Sequence, residues 1–266
     1  MDLQLRNKRA VVTGSTAGIG FATAVALAKE GAAVVVNGRT RQRVEAAVAR
    51  VREQAGRDGG EVSGVAADLS NVAGCEALVR HVPDADVLVN NMGIFEPKPF
   101  EQIPDADWLR FFEANVMSGV RLSRHYLPRM LKGGWGRVVF VSSESAVQVP
   151  AEMIHYGMTK TAQVAIARGL AETTAGTGVT VNSVLPGPTK SEGVATFVGE
   201  LAKQRGVAFE AMEREFFQSA RPTSLLRRFI TPEEVANLIA YVASPAASAT
   251  NGAALRVDGG VVRAAF

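Results

Sequence analysis

Short apolar runs rich in β-branched residues alternate with longer amphipathic stretches along the whole chain, and few folds accommodate that alternation. Residues 10–13, 33–37, 61–66, 87–89, 138–142, 179–184 and 254–257 read as strands. Most are apolar at consecutive positions, as parallel strands covered on both faces require. Residues 18–30, 41–54, 71–80, 105–131, 151–174 and 232–243 carry helical patterns. Thr231-Pro232-Glu233-Glu234 supplies a helix start, with Thr as N-cap and Pro at the first position. Strand followed by helix, six times over, predicts an α/β fold built on a doubly wound parallel sheet of seven strands. At 266 residues and 47% hydrophobic content, the chain suits one large domain, 1–266, with a substantial core. Residues 189–229 interrupt the rhythm between the sixth strand and the last helix. Ligands of open α/β sheets lie beyond the strand C-termini, so this stretch reads as a substrate-side lid. It is expected to be helical over 198–217 and to offer Phe197, Val198, Phe216, Phe217 and Leu225 as apolar wall.

The first strand runs into Thr13-Gly14-Ser15-Thr16-Ala17-Gly18-Ile19-Gly20, which opens the first helix. Glycines here permit a tight turn and close backbone approach, while the helix N-terminus offers unpaired N–H groups to a pyrophosphate. The spacing is Gly-x-x-x-Gly-x-Gly. At the end of the second strand a carboxylate would bind the ribose 2′-hydroxyl of NAD and repel the extra phosphate of NADP. This chain places Gly38 and Arg39 there, with Arg41 and Arg43 following. A guanidinium suits a 2′-phosphate, so NADP(H) is the expected cofactor.

Tyr156 and Lys160 stand four residues apart in a helical stretch and so share a face. A phenol with pKa ~10 is a poor proton shuttle at neutral pH, and a neighbouring ammonium favours the phenolate. Ser143 lies thirteen residues before Tyr156, just past a strand. Ser142 is its rival, but strand alternation turns the two opposite ways. Further markers are Asn90-Asn91-Met92-Gly93, Asn115 within Glu113-Ala114-Asn115-Val116, the run Val181 to Gly187, and Val257-Asp258-Gly259-Gly260. With these motifs in this order over nearly its whole length, the chain closely resembles the short-chain dehydrogenase/reductase family.

The resemblance implies a Rossmann-type fold and a hydride transfer between a nicotinamide and a small carbonyl or alcohol substrate. Tyr156 would be the general acid/base, Ser143 the partner of the substrate oxygen, and Lys160 the ligand of the nicotinamide ribose that lowers the Tyr pKa. Asn115 would hold a water linking Lys160 to solvent. Cofactor contacts are expected from Gly14, Ser15, Thr16, Gly18, Ile19, Gly20 and Arg39, from Asp68 and Leu69 at the adenine, and from Asn90 and Gly93 on the adenosine side. Pro186, Gly187 and Thr189 would meet the nicotinamide, with Ser191 an alternative hydroxyl. Met92 replaces the family's usual Ala. Ala17 stands where many NADP-using members carry a cation, so NADP(H) preference is incomplete and NAD(H) is admitted. A 3-oxoacyl-carrier-protein reductase is the alternative within enzymes. Thr177 stands where that branch carries a docking cation, although Arg129 and Lys132 offer others. A nucleotide-sensing regulator on the same fold is a further alternative, disfavoured because all four catalytic positions are filled. The family also implies a homo-oligomer, a tetramer first.

The remaining composition excludes other classes. A net charge of +3, spread from Arg6 to Arg263, is too diffuse for a nucleic-acid footprint. The three histidines, His81, His125 and His155, are scattered, and no metal site is expected. The single cysteine, Cys75, forms no intrachain disulfide and suits a reducing cytoplasm. Met1 to Arg9 lacks an apolar core, so no signal peptide is expected, and no run approaches the ~20 apolar residues of a membrane span.

Overall fold

The computed structural model describes residues 2–265, apart from the surroundings of Gly193 and the side chains of Thr196, Phe197 and Leu201. Seven strands form one sheet: β1 (Arg9–Val12), β2 (Ala33–Gly38), β3 (Val62–Ala66), β4 (Val87–Asn90), β5 (Gly136–Val141), β6 (Val179–Pro186) and β7 (Ala254–Val257). Their spatial order is β3-β2-β1-β4-β5-β6-β7, and every pairing is parallel. β4, β5 and β6 are buried at every position, whereas the edge strands β3 and β7 are partly exposed. That difference follows from position, since only an inner strand has neighbours on all sides.

Nine helices accompany the sheet among the described residues: α1 (Gly18–Lys29), α2 (Arg41–Ala55), α3 (Val72–His81), α4 (Asp105–Phe112), α5 (Ser118–Gly133), α6 (Ile154–Glu172), α7 (Glu192–Arg205), α8 (Phe209–Ser219) and α9 (Pro232–Val242). Alternate residues of β1 feed two core layers. Ala10 and Val12 pack with Ala24 of α1, Val48 of α2 and Ile239 of α9. Val11 packs with Leu78 of α3, Leu122 of α5 and Ala167 of α6. Fully burying one such Val or Leu contributes about 1.5–3 kcal/mol, which is why consecutive apolar residues mark these strands.

Two departures from the expected elements bear on the site. The helix expected over 105–131 is interrupted by a π-helical turn, Glu113–Met117, with Asn115 at its centre. Residues 189–229 contain two helices rather than one. Gly206 adopts φ 65° and ends α7, and its N–H bonds back to Lys203. A left-handed glycine is a helix stop, and periodicity alone runs through it. α7 and α8 share a small core of their own, in which Val198, Ala202, Met212, Phe217 and Phe229 are buried.

Candidate active site

The turn between β1 and α1 depends on its glycines. Gly14 and Gly18 hold φ of 59° and 58°, where side-chain-bearing residues are strained. A Cβ on Gly20 would lie 2.5 Å from Asn91 Nδ2 and 2.6 Å from the Gly14 carbonyl. Asn91 in turn donates to the carbonyls of Thr13 and Gly14, at 2.9 and 3.1 Å. Asn91, to which the sequence reading gave no individual role, therefore clasps the turn from the end of β4. Ser15 is buried, and its hydroxyl bridges the Val12 carbonyl (2.6 Å) and the Asn37 N–H (2.9 Å). Its side chain serves the strands, leaving only its backbone for a ligand. Met92 accommodates its bulk by packing against the second core layer.

Beyond the C-terminal ends of the central strands lies a cavity of about 620 Å³. Its lining includes Gly18, Ile19 and Gly20 of the turn, Ser143, Tyr156 and Lys160, and Met153, Phe216 and Arg221. Gly93, Pro186, Gly187 and Thr189 also face it. The crevice between β1 and β4, where strand order reverses, is the expected ligand position in such a sheet.

Ser142 and Ser143 follow β5 and divide their work. The Ser142 hydroxyl donates to the Lys160 carbonyl at 2.8 Å, tying α6 to the sheet. The Ser143 hydroxyl donates to Glu144 Oε2 at 2.5 Å and accepts from the Ser145 N–H at 3.1 Å. Tyr156 is half-buried, and its phenol is pushed well above the ordinary value. Burial is the main cause and the Glu144 charge adds to it, while a hydrogen bond to Ser143 and the Arg221 charge oppose it. The lowering expected from Lys160 is not among the causes acting on the phenol, although its Nζ stands 5.6 Å from the Tyr156 ring centroid. Burial lowers the Lys160 ammonium to about 8. Nζ donates to the Val141 carbonyl (3.0 Å) and to Gln163 Oε1 (3.2 Å). Asn115 Nδ2 reaches the Ile94 carbonyl (3.0 Å) and Thr159 Oγ1 (2.9 Å), and Oδ1 accepts from the Ile94 N–H (2.7 Å). His155 points elsewhere and packs on Phe111 and Trp108.

Three buried side chains in or beside this cavity, Arg221, Glu144 and Gln163, escaped the sequence reading. Arg221, which follows α8, donates from Nε to Glu144 Oε1 (3.2 Å) and from Nη1 to Glu152 Oε1 (2.9 Å). Arg221 and Glu144 are both buried. Gln163 is the third, fully buried beside Lys160. Only the adjacency of Glu144 to Ser143 and of Gln163 to Lys160 hinted at them.

Other expected contacts fall outside the cavity. Leu69 is buried in the second core layer. Asn90 Nδ2 donates to Ser123 Oγ on α5 (3.3 Å). Asp68 caps its own turn through Ser70 N–H (3.1 Å). Thr16 packs against Gly38, where a Cβ would lie 2.4 Å from Thr16 Cγ2. Arg39 is exposed beside it, whereas Arg41 is paired with Glu45 at 3.4 Å. Of the expected apolar wall, Val198 and Phe216 line the cavity. Phe217 is buried in the small core of α7 and α8, and Leu225 is 82% exposed. Phe197 lies outside the described side chains. Ser191 caps α7 through the Val194 N–H, and Thr189 donates to the Gly187 carbonyl at 2.9 Å. Among the described residues no helix is long and apolar enough to cross a membrane, and no cluster of three or more potential metal ligands occurs.

Residues 14–262 match the family described as enoyl-(acyl carrier protein) reductase. The protein named uncharacterized oxidoreductase YvaG, from Bacillus subtilis, is 47% identical over 266 residues, covering 100% of both chains. The D-beta-hydroxybutyrate dehydrogenase of Cupriavidus necator is 35% identical, over 97% of this chain and 99% of that one. Among solved structures, L-sorbose reductase from Gluconobacter frateurii, complexed with NADPH and L-sorbose, aligns with a TM-score of 0.93 and 32% identity, over 99% of this chain and 100% of that one.

Proposed function

The chain belongs to the short-chain dehydrogenase/reductase family, and from that premise we propose that it interconverts a ketone and a secondary alcohol with NADP(H) as preferred cofactor and Tyr156 as general acid/base. The family's activity is NAD(P)-dependent oxidoreduction at CH–OH groups. The observation that carries the finer reading is that one cavity is lined by the glycine turn, Ser143, Tyr156 and Lys160.

The residues fit a dinucleotide. The turn supplies two left-handed glycines and no side chain that would fill the cradle at Gly20. Gly93 stands directly beside Lys160, where a Cβ would be in ordinary contact with Nζ at 3.5 Å. When bound, the reduced nicotinamide supplies the hydride. Gly14, Thr16, Gly18, Ile19 and Gly20, with the Ser15 backbone, would hold the pyrophosphate, and Arg39 the 2′-phosphate. Lys160 would hold the ribose hydroxyls, and Pro186, Gly187 and Thr189 would position the amide.

Tyr156, kept protonated by burial, donates its proton to the substrate oxygen in reduction and takes it back in oxidation. Ser143 orients that oxygen. A serine beside the phenol suits a reacting carbon that bears oxygen, as a carbonyl does and a carbon–carbon double bond does not. Glu144 and Glu152 against the single Arg221 leave the substrate end of the cavity net negative, which favours a neutral ketone over an anionic one. The carrier-protein alternative is weakened further because Arg129 faces Asp84 at 3.6 Å. Residues 189–229, bound to the site through Arg221, would close over the substrate as a lid.

The test is a panel of neutral ketones, diketones and secondary alcohols with both cofactors, run on the parent and on Tyr156→Phe. The parent turns over, and the variant loses about 10²–10⁴-fold in kcat while still binding NADPH. Turnover by Tyr156→Phe within tenfold of the parent overturns the assignment. A parent inert toward the whole panel favours a nucleotide-sensing role.

A further inference from the structure

Asn115 is expected to hold a water that joins Lys160 to solvent, yet every polar group of Asn115 that faces this region is already engaged. Its side chain bonds Ile94 and Thr159. Its main-chain carbonyl accepts from Gln163 Nε2 at 2.6 Å. Oε1 of the same carboxamide accepts from Lys160 Nζ at 3.2 Å. Gln163 is 1% exposed and sits three residues after Lys160 on α6. The amide has only one workable orientation, because an ammonium only donates and a carbonyl only accepts. Asn115 lies in the π-helical turn, and such a turn is where a side chain can join the helix hydrogen-bond ladder.

We propose that Gln163 is a positioning residue that replaces the water between Lys160 and Asn115, clamping the ammonium toward the cofactor ribose and sealing the internal route for proton exchange. The inference rests on the oxidoreductase reading of Lys160. Two of the three Nζ donors are committed, to Val141 and Gln163, which leaves one for a ribose hydroxyl. A carboxamide neither gains nor loses a proton in the neutral range, whereas a water passes protons readily. The proton that Tyr156 gives up is therefore replenished through the cavity mouth.

The groups around Lys160 define what a pH measurement reads. Tyr156 lies on its own helix, and burial keeps the phenol from ionising in the neutral range. Ser142 and Ser143 after β5 and Asn115 in the π-helical turn are neutral. Glu144 lies past Ser143, is tied to Arg221 and acts on Tyr156. No carboxylate among the described residues acts on Lys160, whose pKa is set by burial. Removing the Gln163 acceptor should therefore disfavour the charged form, and placing a carboxylate there should favour it.

The dissociation constant of NADPH, followed by nucleotide fluorescence from pH 6 to 10, reports this directly without turnover. For the parent, binding weakens above about pH 8, where Lys160 loses its charge. In Gln163→Leu the break moves to lower pH, and in Gln163→Glu to higher pH, each by about half a unit or more. Gln163→Ala leaves room for a water and falls between Leu and the parent. A merely structural role would lower stability without moving the break in opposite directions. Breaks that coincide in the Leu, Glu and parent proteins overturn the proposal. Should the Leu variant not fold, an unmoved break in the near-isosteric Glu variant overturns it alone. Failure of the oxidoreductase reading shows differently: the parent then turns over no carbonyl. A parent that binds neither NADPH nor NADH removes both.

Discussion

Gly38 and Arg39 are neighbours at the end of β2, but packing constrains only the first. Arg39 is exposed and free to meet a 2′-phosphate. One charge-assisted bond of that kind contributes about 1.5–3 kcal/mol, or roughly ten- to a hundredfold in affinity. NADPH should therefore bind tighter than NADH by about that factor, and less so at high salt because the guanidinium is solvated. Arg39→Ala should abolish most of the difference. Adding an acid at Gly38 should then favour NADH, but not by substitution alone. A Cβ at Gly38 meets Thr16 Cγ2 at 2.4 Å, so Gly38→Asp needs Thr16→Ala alongside it. Paired titrations with both nucleotides check the series, and equal parent affinities would show that Arg39 serves only solvent. Ser143, Tyr156 and Lys160, which line one cavity, could be grouped from the sequence because their spacing is local. The sequence could not expose the Glu144–Arg221 pair, whose members lie 77 residues apart, or the Gln163 bond to Asn115, across 48 residues. Such contacts exist only once the ends of β5 and α8, the π-helical turn and α6 have come together.

At the scale of elements, α9 shows local chemistry that can be read without a structure. Thr231 Oγ1 accepts from the Glu234 N–H at 3.2 Å, and Glu234 Oε2 accepts from the Thr231 N–H at 2.8 Å, closing a capping box. Arg228 binds the same carboxylate, at 2.8 and 2.9 Å. Arg228 first, and the Thr231 N–H second, hold Glu234 at about 2, below its ordinary range. An acid depressed in the folded state adds stability that is full above its unfolded pKa of ~4.3 and is lost as pH falls toward about 2. Glu234→Gln should flatten that part of the stability profile, and Thr231→Ala should cost about 1 kcal/mol at neutral pH. Urea midpoints at several pH values between about 5 and 2 test both. Parent and Glu234→Gln profiles of equal slope would show that solvent screens the pair completely. The break at Gly206 and the π-helical turn at Asn115 were not legible in this way. The apolar period continues across both, and their cause is backbone geometry set by neighbouring elements.

For the whole molecule, the exposed apolar surface of α4 stands out, because both faces of the sheet are already covered. Leu109 is 68% exposed and Phe112 38%, and Phe100, just before α4, is 60% exposed with its ring edge on Trp108. Isolated exposed apolar residues need no explanation, but a group on one helix and its lead-in marks a contact surface. We propose that this face packs on a second copy of the chain about a two-fold axis, where one patch serves both partners. The sheet offers a second place for a copy. β7 is an edge strand, partly exposed along its length, and an unpaired edge is a liability unless covered. Two distinct isologous contacts on one chain generate a tetramer, and either alone a dimer. Light scattering at micromolar protein should thus give a mass four times the 28.1 kDa of the chain, or failing that twice. Leu109→Lys with Phe112→Lys should break the α4 contact, halving the mass of a tetramer, while an exposed position spares the core. The cavity lies at the strand ends, so NADPH affinity should change little in that variant, which separates lost assembly from lost folding. A parent that scatters as a monomer at these concentrations overturns the proposal, and the exposed face of α4 would then belong to a different partner.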